Sequence, residues 1–186
     1  MRWDFENARR GYTGKFLERD YFGASVFPGP EVKKFLQEFG KSKQDGNVYL
    51  SFNRAIELIK RFYVQDPHKP SKPLAADLFQ ALLKKLQLED SQKLSFYSAI
   101  GTPLDTFHGI DGFFEYENVR LAIDLTANPR KENEEDNPSV DFVLHEMPSK
   151  ETEGYLYKEE LEETANFLAK IFKEKKDRAD RERKPL

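Results

Sequence analysis

Residues 105–128, DTFHGIDGFFEYENVRLAIDLTAN, constrain the fold more than any other stretch. With Glu117 and Asn118 as a two-residue turn, the segment folds back as a β-hairpin. Tyr116 then faces Val119, Glu115 faces Arg120, Phe114 faces Leu121, Phe113 faces Ala122 and Asp111 faces Asp124. Alternate side chains of a strand point to opposite faces. One face gathers Ile110, Gly112, Phe114, Tyr116, Val119, Leu121, Ile123 and Leu125, with no charge among them. That face is expected to be buried. The other gathers Asp111, Phe113, Glu115, Arg120, Ala122, Asp124 and Thr126. A slip by one residue would carry charge onto the apolar face, so the pattern selects this register. It also sets two carboxylates opposite each other, with Cβ atoms roughly 4.5–5.5 Å apart. Opposed like charges destabilise a sheet and call for compensation, which a hard divalent cation supplies to carboxylate oxygens. Glu115 and Arg120 read as a cross-strand ion pair, with an Arg120 contact to phosphate as the alternative.

The flanking sequence supplies helices. Pro30 opens one that ends near Gly40, with Val32, Phe35, Leu36 and Phe39 on one face. A second is expected from about Ser51 to Tyr63 and a third from about Leu74 to Leu88, each with an apolar stripe. Asp66 to Pro73 holds three prolines and reads as a linker or ordered loop. Leu94–Ile100 and residues 139–146 are expected strands, and 129–138 an exposed charged loop. A long helix starts near Tyr157, with Leu161, Ala165, Leu168 and Phe172 as its stripe. The stripe stops at Phe172, and KEKKDRADRERKPL reads as a charged helix end or tail. Residues 1–30 mix aromatic and basic side chains without clear helical periodicity. The expected class is α+β: a small mixed sheet with a central hairpin, flanked by helices. Residues 1–72 form an amino-terminal segment packed on a core spanning 73–172, followed by 173–186.

Composition narrows the chemistry. A net charge of −3 gives no global attraction to nucleic acid, so any such contact needs a local basic patch. The absence of cysteine removes disulfides, thiolate zinc sites and cysteine nucleophiles. No apolar run is long enough for a transmembrane helix, and MRWDFENARR lacks the apolar stretch of a signal peptide. A soluble cytoplasmic protein is the expectation. The phosphate-binding, dinucleotide, zinc-protease and nucleophile-elbow motifs are all missing.

The hairpin resembles the PD-(D/E)xK nuclease superfamily. That pattern has an Asp at the start of one core strand and an acidic residue, any residue and a Lys on the next. Here Asp111 precedes GFFEYE, and Asp124-Leu125-Thr126 closes VRLAIDLT. The resemblance spans roughly residues 74–172 and implies a restriction-endonuclease-like αβββαβ core. It implies that Asp111, Asp124 and the Leu125 carbonyl ligate magnesium or manganese, and that the protein cuts phosphodiester bonds of DNA or RNA. The lysine position holds Thr126, and Lys131 or Arg130 in the next loop would supply the cation. Asp77 and Gln80 are the candidate counterparts of the acid on the preceding helix. Asp105, His108 and Asp111 recur at three-residue intervals, which gives His108 an assisting role as ligand or general base. The alternative is a non-catalytic α+β interaction module. It would bind a protein partner through the amino-terminal aromatics or the charged carboxy-terminal helix. The amino-terminal arginines and aromatics are also suited to nucleic acid.

Overall fold

A computed structural model of the chain describes residues 14–25, 27, 29–44, 46–128 and 137–182. A first helix, α1, covers 14–21. Helices α2 (Pro30–Phe39) and α3 (Phe52–Phe62) flank a two-strand ribbon, β1 (Lys41–Ser42) and β2 (Val48–Tyr49). Then come α4 (Pro73–Lys85), β3 (Leu94–Ser98) and the short α5 (Pro103–His108). The hairpin is β4 (Gly112–Tyr116) and β5 (Val119–Thr126), followed by β6 (Phe142–His145) and α6 (Gly154–Glu182). The main sheet has the order β3-β4-β5-β6. The first three strands are antiparallel neighbours, and β6 runs parallel to β5. The class is α+β, as the sequence predicts. Among the described residues, no helix is long and apolar enough to cross a membrane.

The hairpin register is found pair for pair from Gly112 opposite Ile123 to Tyr116 opposite Val119. Glu117 (φ 49°) and Asn118 (φ 65°) are both left-handed, the geometry of a type I′ turn. Asn accepts that conformation readily; Glu does not, and is held there by the Tyr116 hydroxyl at 2.8 Å and an ion pair to Lys176.

Both faces of the sheet are covered. Leu94, Phe96, Phe114, Leu121, Ile123, Leu125 and Leu144 form one core with α4 and α6. Tyr97, Phe113, Ala122 and Val143 form a second with α2, α3 and α5. The hairpin's polar face is therefore covered along most of its length. Ile110 joins Phe113 in the second core, not Phe114 as the alternation predicts. The cause is an offset at Asp111, whose N–H reaches the Ile123 carbonyl at 2.9 Å instead of continuing the register. One residue out of step turns the preceding side chain to the other face.

Other boundaries shift for local reasons. α4 stops at Lys85, short of Leu88, because Gln87 turns left-handed (φ 55°) and the Leu88 N–H bonds back to Leu83. β6 starts at Phe142, since Asn137 accepts from Ser139 (3.0 Å) and Val140 (3.1 Å) in a turn. The helix α6 continues past the apolar stripe to Glu182, because Lys175 reaches Asp141 (2.6 Å) and the Arg120 carbonyl (2.7 Å). The segment before residue 30 contains α1, which its mixed composition conceals.

The outer edge of β3 is closed by loops. His68 Nδ1 lies 2.8 Å from the Leu94 carbonyl, and the Phe96 N–H donates to Pro67 at 2.8 Å. The Ser98 N–H donates to the Tyr63 hydroxyl at 3.1 Å. The proline-rich segment is thus an ordered cover for an edge strand, which cannot itself tolerate unpaired backbone groups.

Candidate functional site

The site lies where β4 begins and β5 ends. β4 does not extend far enough to pair Leu125, and the Leu125 N–H donates to Asp111 Oδ2 at 2.7 Å instead. Asp111 is only 4% exposed and Asp124 only 7%. Burial disfavours a bare carboxylate, and here three further acids bear on Asp111. Its pKa is raised to about 8, first by desolvation and then by the negative charges of Glu18, Asp124 and Asp105; the Leu125 bond works against the rise. Glu18 and Asp105 are themselves pushed up, chiefly by burial; Asp124 adds to both, and Asp105 adds to the rise at Glu18. Lys15 pulls both down.

Three elements build this acidic cluster. Asp124 is on β5 and Asp105 on α5, where it accepts the Gly101 N–H at 2.8 Å. Glu18 comes from α1, which is anchored by the residues that follow it. Phe22 is 1% exposed and meets Phe96 edge-on at 5.0 Å. The Tyr21 hydroxyl accepts the Met147 N–H at 2.9 Å. Gly112 makes room for the Phe22 ring, since a Cβ there would lie 2.9 Å from it. Gly112→Ala is therefore expected to cost about 1–3 kcal/mol through overpacking, read as a lower urea midpoint at constant m. An unchanged midpoint would show that α1 is not seated on the hairpin.

The structure brings together only part of the residue set expected from the sequence. Asp111, Asp124 and the Leu125 backbone meet at one place. Thr126 is buried at the end of β5, and its hydroxyl accepts the Asn128 N–H at 3.0 Å. His108 is on α5, as the three-residue interval allows, but Asp111 lies beyond that helix. The His108 Nε2 is 2.9 Å from the Leu50 carbonyl, and its ring packs against Tyr49 and Phe52. Its ring contacts are with the end of β2 and the start of α3. Arg130 and Lys131 lie outside the described residues. Asp77 bonds Lys150 (2.6 Å) and Tyr157 (2.7 Å), joining α4 to α6. Gln80 is exposed on α4. The acid that reaches the hairpin from an upstream helix is Glu18. No sequence signal singles it out from Asp4, Glu6 and Asp20 in the same aromatic and basic stretch. Of the amino-terminal aromatics, Trp3, Phe5 and Tyr12 lie outside the described residues, while Phe16 is 60% exposed.

The donor set is all carboxylate oxygen, the chemistry of magnesium and manganese. Among the described residues, no three His, Cys, Asp or Glu side chains are grouped closely enough to hold a metal as they stand. Magnesium commonly takes one or two protein carboxylates and keeps waters, so the Asp111–Asp124 pair meets that requirement. Arg120 Nη2 is 3.2 Å from Glu115 Oε2, the cross-strand ion pair expected from the register. No family model matches the chain, and neither a curated protein nor a solved structure does.

Proposed function

We propose that the protein is a nuclease-like phosphodiester hydrolase that uses magnesium or manganese held by Asp111 and Asp124. One observation carries this reading: two buried carboxylates at a strand end, with Glu18 and Asp105 adding charge of the same sign. Carboxyl groups concentrated out of water cost free energy and have perturbed pKa values, and such arrangements concentrate at functional sites. Helix α4 and strands β3, β4 and β5 match only the αβββ part of the αβββαβ core that the hairpin motif resembles, with α5 inserted between β3 and β4. Among the described residues, no helix stands between β5 and β6.

In this reading Asp111, Asp124 and the Leu125 carbonyl hold the cation. When bound, the cation activates a water and offsets charge on the phosphodiester. The bond from Leu125 to Asp111 fixes the first carboxylate against β5. Glu18 stands beside the pair and is suited to orient a water or complete the ligand set. Thr126 brings no positive charge to the position where the superfamily carries lysine. Lys15, whose field reaches Glu18 and Asp105, is the described cation suited to that part.

Thermal melting with Mn²⁺ tests the proposal. At a concentration one hundred times Kd, binding adds about 2.7 kcal/mol of stability. The wild type should melt higher with Mn²⁺, and Asp124→Asn should remove the effect. Cleavage of single- and double-stranded substrates should be lost in the same variant. A wild type indifferent to millimolar Mn²⁺ would sink the metal site.

A further inference from the structure

Away from the carboxylates, three adjoining cavities of about 540, 330 and 490 Å³ run from α3 past Arg120 to the far half of α6. Arg120 lines the first two, and Pro138, Asp141 and Lys175 line the last two, so they form one groove. Its walls carry Lys60, Arg61, Arg120, Lys170, Lys175 and Arg178 against Glu57, Asp141 and Glu174, with Glu115 beside them pairing both Lys60 and Arg120. This local excess of positive charge stands in a chain of net charge −3. The cations come from α3, β5 and α6, so they are not one helix's solvated face.

We propose that this groove binds a single strand of nucleic acid, with the phosphates on the basic walls. The inference rests on the phosphodiester reading and assigns its substrate a track. Two cations are set rigidly: Lys175 by Asp141 at 2.6 Å, and Arg120 by Glu115 at 3.2 Å and the Phe113 ring. Among the described residues, the buried Arg120 Nε has no acceptor, and an oxyanion would satisfy it once the guanidinium turns toward the groove. Phe167 lines the groove and is 46% exposed, against Phe142 at 5.5 Å. Basic walls with an exposed aromatic platform are what sequence-tolerant single-strand binding uses, bases stacking while phosphates track the charge. Arg120 and Asp124 share a face of β5, four residues and about 13 Å apart, so the groove lies one short strand from the carboxylates.

Fluorescence anisotropy with labelled oligothymidylate, in the presence of EDTA, tests the groove apart from the metal site. The wild type should bind, with affinity falling as salt rises. Arg61→Glu/Lys170→Glu/Arg178→Glu changes exposed positions and should weaken binding at least about tenfold, with a salt slope shallower by about 2. Lys33→Glu/Lys34→Glu/Lys84→Glu makes the same change in net charge elsewhere and should bind as the wild type does. Phe167→Ala should lose affinity while keeping the salt slope. Absent binding by the wild type, or equal loss in both reversed variants, overturns the groove. Neither result touches the Mn²⁺ melting shift, which reads the carboxylates alone.

Discussion

Asp111→Asn is expected to make the protein more stable at alkaline pH and to flatten its stability between about pH 4 and pH 8. The Asp111 carboxyl is raised to about 8 in the folded protein, against an ordinary value of about 3.9 when unfolded. Between those values the folded state holds a proton that the unfolded state has released. Stability is therefore fully present below about pH 4 and is lost as the pH rises through about 8. Each proton costs about 1.4 kcal/mol per pH unit, so the whole decline is on the order of a few kcal/mol. Asparagine keeps an oxygen to accept the Leu125 N–H and carries no charge toward Glu18, Asp105 and Asp124. Urea denaturation of both forms across this range checks the point. A variant whose stability falls with pH as steeply as the wild type's would show that Asp111 is not the group responsible.

Phe22→Ala should cost about 3–5 kcal/mol, the usual range for a fully buried aromatic ring. Phe22 fills the space that Gly112 leaves open and meets Phe96. The loss should not be uniform. Amides of α1 should exchange faster than those of β4 and β5, because the ring is what seats that helix on the hairpin. Glu18 would then leave the cluster, and Asp111 would titrate lower than in the wild type. Hydrogen exchange that stays even along the chain, or a cost under about 1 kcal/mol, would detach α1 from this account.

The hairpin was legible because its pattern is local: eight uncharged residues alternate with the polar set, and the register from Gly112 to Tyr116 follows. α2 and α3 were legible for the same reason, each with a stripe at helical spacing and clear ends. What lay beyond reach was long-range. Nothing near Ile110 announces the offset at Asp111, which arises when an N–H chooses the Ile123 carbonyl. The second buried face was hidden because Glu115 and Arg120 interrupt it, yet α3 covers Phe113 and Ala122 there. α1 has no apolar stripe of its own length; it is fixed by Tyr21 and Phe22, whose partners are Met147, Phe96 and Gly112. The hairpin pattern brought Asp111 and Asp124 to the same strand end, although the offset takes Asp111 out of the direct pairing with Asp124 that the pattern predicts; Glu18 could not be read at all, since its place depends on that docking. His108 illustrates the converse: a three-residue interval suggested a shared role with Asp111, and the ring instead serves Leu50.

The bond between Tyr21 and Met147 joins residues 126 positions apart. During synthesis α1 leaves the ribosome long before its resting place exists. At 5–20 residues per second, roughly 6–25 s pass before Met147 has been added. Phe96 and Gly112 are added 74 and 90 residues after Phe22, so for the first half of that interval Phe22 has neither to pack against, and Glu18 has none of Asp105, Asp111 and Asp124 beside it. The acidic cluster is thus completed late, and a chain stalled before β6 carries the hairpin's two aspartates without the Tyr21–Met147 bond that helps hold α1 beside them.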